Sequence, residues 1–265
     1  MSKIDLVYLI NRYFAEPYSS LVSGILLGNK IAPTSDFYLQ IKQSGLLHLV
    51  VLSGSNIAIL GSIMSFLTSW ISRRISLLIT ILTVILFNIF IGFQAPLIRS
   101  SLMVTLTSVA GLLGRQSHSL YTLFLTALAM IILWPNLMGD LSFQLSFSST
   151  LGILLFSGGY SQKKSFMHQF LMTELKTGLA AYTFTAPIIA FNFQQISLIG
   201  ITSNVLVSPF IPSIMILGII MVALGKISFI LGIVPSYLLY GMISWVLFVI
   251  RISSQVPYGF IDFSR

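Results

Sequence analysis

"ISLLITILTVILFNIFIGF", residues 75–93, contains no charged residue. Its length is close to the ~20 residues a helix needs to cross bilayer hydrocarbon. The flanking sequence is of the same kind. Further hydrophobic segments run over 46–71, 96–113, 119–134, 141–157, 177–193, 202–224 and 236–256. Across 265 residues, 56% are hydrophobic, 8% are charged, and the mean hydropathy is +0.97. A soluble domain carries about 25% charged residues, so this chain cannot cover a water-facing surface. The composition predicts an all-α, polytopic transmembrane helical bundle of about 7–8 spans, with the lipid bilayer as its solvent. No repeat or low-complexity linker divides it. Residues 1–265 therefore read as a single domain, with interfacial helices over 1–45 and the helical bundle over 46–256.

The N-terminal part is amphipathic. Leu6, Leu9, Ile10, Tyr13 and Phe14 fall on one face, flanked by Lys3, Arg12 and Glu16. This predicts an interfacial helix over 6–28, broken near Pro17. The opening run is too short for a signal peptide, and acidic Asp5 stands where such a peptide is basic. Pro33, Thr34, Ser35 and Asp36 predict a turn and a helix start, with Thr34 or Ser35 as N-cap of a short helix over 36–44. A second surface helix is expected over 165–176, and a re-entrant piece over 227–235 ending at Pro235. Segments 141–157 and 177–193 are short, the latter contains Pro187, and 202–224 carries Pro209 and Pro212. Interrupted segments of this kind mark backbone that lines a cavity instead of lipid.

The net charge is +8. Arg73 and Arg74, Arg115, Lys163 and Lys164, and Lys226 all fall on one side if each segment crosses once. The opposite loops, near 94–96, 135–140 and 194–201, hold no Lys or Arg. The positive-inside rule makes the basic side cytoplasmic. Polar residues then collect at the other side. His48, Ser53 and Asn56 lie in the outer half of the first span, and Arg99 lies near the outer end of the third. Asp140, Ser142 and Gln144 open the fifth. Gln194, Gln195 and Ser197 leave the sixth, while Asn204 and Ser208 enter the seventh. Together they predict an outward-facing polar vestibule.

Each of these residues has a plainer reading beside the functional one. Gly54, Ala58, Gly61 and Ser65 form a small-residue face suited to close helix packing. Ser53 to Asn56 would also loosen the helix locally and turn backbone N–H groups toward an anion. Arg99 either snorkels to the interface or works inside the membrane, holding an anion or pairing with Asp140. Asp140 suits the N-cap of the fifth span, and Gln144 suits interhelical hydrogen bonding. His48 fits a proton carrier, a ligand or an interface residue. The three histidines, 48, 118 and 168, lie far apart and there is no cysteine, so no metal site is expected. No nucleophile elbow, phosphate-binding loop, dinucleotide fingerprint or zinc-protease motif is present. Neither an enzyme nor a bound cofactor is expected.

Five stretches resemble, in order, the motifs of the transmembrane competence domain of ComEC-type DNA-uptake proteins. They are "SSLVSGILLGNK", "KQSGLLHLVVLSGSNIAIL", "GFQAPLIRSSLMV", "GDLSFQLSFSSTLGILLF" and "FNFQQISLIGITSNVLVSPF", and they extend over roughly 16–225. The resemblance implies a channel domain in the bacterial cytoplasmic membrane that passes single-stranded DNA inward during natural transformation. It points to His48, Ser53, Gly54, Asn56, Arg99, Phe143, Gln144, Ser146, Gln195, Asn204 and Pro209 as motif positions along the DNA path. Asn56 stands where the family pattern has a histidine, and asparagine does not titrate near neutrality. Fuller members carry an OB-like domain and a metallo-β-lactamase-like domain. This chain is too short for either, which fits truncation, a split across two genes or a degenerate paralogue; the partners the resemblance implies are a separate metallo-β-lactamase-like nuclease or OB-like subunit and other uptake-machinery proteins. Phe93, Phe143, Phe147, Phe191 and Phe193 offer stacking faces for bases. A small-solute transporter and a non-transporting membrane paralogue are the competing functional classes, the first favoured by the proline-broken spans.

Overall fold

A computed structural model describes residues 3–29, 31–32, 34–47, 54–156, 166–257 and 259–262. The described chain is helical almost throughout. The first three helices are α1 (Lys3–Tyr13), α2 (Tyr18–Leu27) and α3 (Asp36–Gln43). The next five are α4 (Gly54–Leu67), α5 (Arg73–Ile91), α6 (Ala95–Leu112), α7 (Ser119–Leu133) and α8 (Leu141–Phe156). Then come α9 (Phe166–Phe193), α10 (Gly200–Val207), α11 (Ile211–Ile227) and α12 (Phe229–Ser254). One antiparallel ribbon pairs β1 (Gln195–Ser197) with β2 (Phe260–Asp262). Four helical segments are long and apolar enough to cross a membrane: Arg73–Ile91, Ala95–Leu112, Gly200–Ile227 and Phe229–Ser254. The helices Tyr18–Leu27, Gly54–Leu67, Ser119–Leu133 and Leu141–Phe156 are apolar but shorter. The chain is an all-α membrane bundle, and at four of the expected positions its described helices are long and apolar enough to cross.

Three expectations need correction. The surface helix over 165–176 and the span over 177–193 are one continuous helix, α9, with Pro187 inside it. The joining residues, Thr173 to Lys176, include good helix formers and offer no break. Residues 227–235 are not re-entrant, because α12 runs unbroken from Phe229 through Pro235 to Ser254. The break falls instead at Ser228, whose extended backbone (φ −154°, ψ 137°) turns the chain from α11 into α12. Residues 6–28 break before Tyr18, at the expected Pro17, but α2 is packed inside its unit and not at the surface: Leu21, Val22 and Ile25 are fully buried. Gly28 ends α2 in the left-handed region (φ 63°), where a side chain is strained. Ser35 is the N-cap of α3, its hydroxyl accepting from the Tyr38 N–H at 3.1 Å.

The helices group into two compact units, one formed by residues 1–52 and 189–265 and the other by residues 53–188. In the first unit α11 and α12 form a hairpin, and α2 packs against both. Gly218 makes room for α2, since a Cβ there would stand 2.6 Å from Leu26 Cδ1. Helix α10 is tied to α12 by the Ser203–Ser253 hydroxyl pair (2.8 Å) and by Trp245 Nε1 donating to the Leu206 carbonyl (3.1 Å).

In the second unit α4, α5 and α6 pack on one another, and α6 also packs on α7 and α8. Its polarity is inverted relative to a soluble domain. On α5, Leu78, Leu82, Leu86 and Ile89 are exposed, whereas Ser76, Thr80 and Asn88 are buried. In hydrocarbon the apolar face belongs outside, and inward polar groups need partners. Their donors find carbonyls on their own helices. Thr80 Oγ1 donates to the Ser76 carbonyl (2.9 Å), Asn88 Nδ2 to Val84 (2.8 Å) and Thr126 Oγ1 to Thr122 (2.8 Å). The small-residue face of α4 splits: Gly54 and Gly61 are buried toward α6, while Ala58 and Ser65 are exposed.

Candidate functional site

Arg99 is the centre of the most unusual arrangement in the second unit. It sits on the second turn of α6, a helix whose start is set by Pro96, which has no N–H to leave unpaired there. The side chain is 8% exposed. Its Nε donates to Ser146 Oγ of α8 at 2.7 Å, and its Nη1 approaches Met103 Sδ, one helical turn further along α6, at 3.4 Å. The guanidinium carbon lies 6.0 Å from the centre of the Phe147 ring. Gly54, at the start of the described part of α4, leaves the space for Nη2: a Cβ there would stand 2.5 Å from Arg99 Nη2 and 3.1 Å from the Pro96 carbonyl. Three stretches distant in sequence, around Gly54, Arg99 and Ser146, thus meet at one point.

The partners of the guanidinium among the described residues are all uncharged. Asp140, the expected partner, accepts from the Ser142 N–H at 2.9 Å and starts α8. Beside Arg99 lies an apolar cluster of Ala95, Ile98 and Met130, against which Phe143 and Phe147 pack. Phe143 and Phe147 are themselves in contact, with ring centres 4.5 Å apart. Gln144 points elsewhere, its Nε2 donating to the Met138 carbonyl at 3.3 Å. Asn56 is 1% exposed on α4. Asn88 was not singled out from the sequence, although a lone amide in an apolar run is a visible signal. Its Nδ2 also donates to Ser101 Oγ of α6, and its buried Oδ1 has no hydrogen-bond partner.

The remaining described motif positions belong to the first unit. Gln195 lies in β1 opposite Asp262 of β2. The neighbouring Ser197 hydroxyl donates to the Gln43 carbonyl at 3.0 Å. Gly45 (φ 74°) passes so close to Gly200 that a Cβ would stand 2.6 Å from its Cα. Stretches 42–47 and 194–200, both parts of the sequence motifs, are therefore in contact. Asn204 on α10 is half-buried, and its Oδ1 lacks a partner. Pro209 lies in the 3-10 turn Ser208–Phe210 between α10 and α11. His48 and Ser53 lie outside the described residues. Among the described residues no group of three His, Cys, Asp or Glu side chains is placed to hold a metal ion.

Residues 25–265 match the family model described as Competence protein. Among curated proteins, the chain is similar to "ComE operon protein 3" of Bacillus subtilis (strain 168), 23% identical over 194 residues. That match covers 72% of this chain and 24% of the relative. A protein of Aquifex aeolicus (strain VF5), described only as uncharacterized, is 29% identical over 182 residues, 67% of this chain and 41% of its own length. The match thus spans less than half the length of either relative. No solved structure matches the chain.

Proposed function

The chain belongs to the Competence protein family, and from that premise we propose that it passes single-stranded DNA across the bacterial cytoplasmic membrane during natural transformation. It is a competence-related membrane protein. The observation that carries the finer reading is the meeting of Gly54, Arg99 and Ser146 within the second unit. Three separated motif stretches put a buried cation, a hydroxyl and the Phe147 ring together. A strand of DNA needs cations or N–H donors for its phosphates and aromatic faces for its bases, and this arrangement offers one of each. Thr80 and Thr126 are further buried hydroxyl-bearing residues of the same unit. Transport of this kind needs no bond made or broken by this chain, so no catalytic role is assigned.

The test is uptake of labelled DNA by a competent strain lacking the gene, with and without complementation. Loss on deletion and recovery on complementation support the channel. Undiminished uptake without the gene refutes it and leaves a paralogue or a solute transporter.

A further inference from the structure

A cation buried within a membrane bundle is costly unless something neutralises it. Arg99 is more than nine-tenths buried. Asp140, the acidic residue expected to pair with it, is engaged instead at the start of α8. The described partners of Arg99 are a hydroxyl, a thioether and a ring, all neutral. A guanidinium has five N–H donors in a planar fork. Nε is committed to Ser146, one donor of Nη1 faces the weak acceptor Met103 Sδ, and Nη2 makes no hydrogen bond to the described residues. Nη2 occupies the space that the missing Gly54 side chain leaves. Ser146 Oγ accepts from Nε and keeps its own proton to give.

We infer that Arg99, with Ser146 beside it and Gly54 giving it room, is a binding site for one phosphate-type oxyanion. The free donors of Nη2, the second donor of Nη1 and the Ser146 hydroxyl supply the fork that a tetrahedral oxyanion takes. The bound anion supplies a counter-charge that the described partners of Arg99 do not. Identification of that anion as a phosphodiester of a passing DNA strand rests on the function proposed above. Free phosphate and a lipid headgroup share the same chemistry.

The experiment uses the full chain purified in neutral detergent. The probes are inorganic phosphate, phosphatidylglycerol, a single-stranded thymidine oligomer with phosphodiester linkages, and the same oligomer with uncharged methylphosphonate linkages. Thermal unfolding reads the first two and fluorescence anisotropy the oligomers. Phosphate is expected to raise the melting temperature of the wild type and not of Arg99→Gln. The phosphodiester oligomer is expected to bind about tenfold more tightly than the uncharged one, corresponding to about 1.4 kcal/mol. That difference should vanish in Arg99→Gln and shrink in Gly54→Ala, which displaces the guanidinium without removing it. Without an anion, Arg99→Gln should melt no lower than wild type, because it loses an uncompensated charge.

If Arg99→Gln responds to phosphate and to both oligomers as the wild type does, the site is overturned. Arg99-dependent binding of phosphate or phosphatidylglycerol, with no difference between the oligomers, keeps the oxyanion site and removes DNA as its occupant. If DNA uptake survives deletion of the gene while phosphate binding depends on Arg99, the channel falls and the site stands. If uptake needs the gene and Arg99→Gln binds every probe normally, the channel stands and the site falls.

Discussion

Tyr13 and Phe229 are joined twice. The Tyr13 hydroxyl donates to the Phe229 carbonyl at 2.8 Å, and the two rings stack with centres 4.7 Å apart. The Arg12 guanidinium lies over the same phenylalanine ring at 4.8 Å. These contacts dock α1 at the turn between α11 and α12. Gly225 and Gly232 admit the phenol: a Cβ on Gly225 would stand 2.7 Å from its oxygen, and one on Gly232 would collide with it. Tyr13→Phe should cost about 1 kcal/mol of stability, the usual worth of one hydrogen bond. Tyr13→Ala should cost about 3 kcal/mol. Gly232→Ala should destabilise by expelling the ring, so in the Tyr13→Ala background it should add almost nothing. Thermal unfolding of the four proteins measures that coupling. Additive losses would show that the phenol is not what Gly232 accommodates.

Gly152 makes an equally close passage in the second unit. A Cβ there would lie 2.6 Å from the Ala180 carbonyl oxygen and 2.8 Å from Phe184 Cδ2, on α9. Backbone cannot move aside cheaply, so Gly152→Ala should destabilise by about 1–3 kcal/mol. Gly241 of α12 is the control, because a Cβ there meets nothing within 4 Å. Gly241→Ala should gain roughly 0.5–1 kcal/mol from helix propensity. Equal effects at both sites would refute the packing argument.

The ribbon offers a test of topology. Ile196 of β1 is the register partner of Ile261 of β2. The chain has no cysteine, so an introduced pair is unambiguous. Ile196→Cys with Ile261→Cys should form an intramolecular disulfide on mild oxidation, seen as a mobility shift on a non-reducing gel. Singly, each cysteine should react with a membrane-impermeant maleimide from the same side, because Gly200–Ile227 and Phe229–Ser254 return the chain to the side it left. Labelling of the two from opposite sides would show that one of these segments does not cross.

Asn88 carries a buried acceptor, Oδ1, with no partner. Leaving such a group unsatisfied costs about 1–3 kcal/mol, whereas a single net hydrogen bond contributes about 1 kcal/mol. Asn88→Leu removes the orphan atom together with the Nδ2 bonds to Val84 and Ser101. The Ser101 hydroxyl still donates to the Leu97 carbonyl at 2.7 Å. The variant should therefore be as stable as wild type or more stable by about 1 kcal/mol. A clear drop in melting temperature would mean that Oδ1 accepts from a bound molecule.

The bundle was legible because hydropathy and charge are summed over many residues. The Ser35 cap and the Asp140 cap were legible because their signal is local. Arg99 stood out for the same reason, as a cation in an apolar run, but its surroundings did not. Whether it meets Asp140 or Ser146 depends on how α8 is rotated against α6, and no spacing in the sequence encodes that. The β1–β2 ribbon joins residues 195–197 to 260–262 through strands too short to show alternation. Pro235 suggested an ending because proline removes a helical hydrogen bond. The structure carries it inside α12, while Ser228, unremarkable in sequence, makes the turn.

The two units differ in how the ribosome delivers them. Residues 53–188 are contiguous, whereas the other unit is assembled from residues 1–52 and 189–265. Domains close as they emerge during synthesis. The contiguous unit is therefore complete while α2, made long before, still lacks α11 and α12. Until residues 211–254 are made, α2 lacks the two helices that pack on it in its own unit. A chain halted after residue 188 would hold one finished unit and an unsatisfied N-terminal segment. Residues 189–265 are thus the late part of a core begun in residues 1–52.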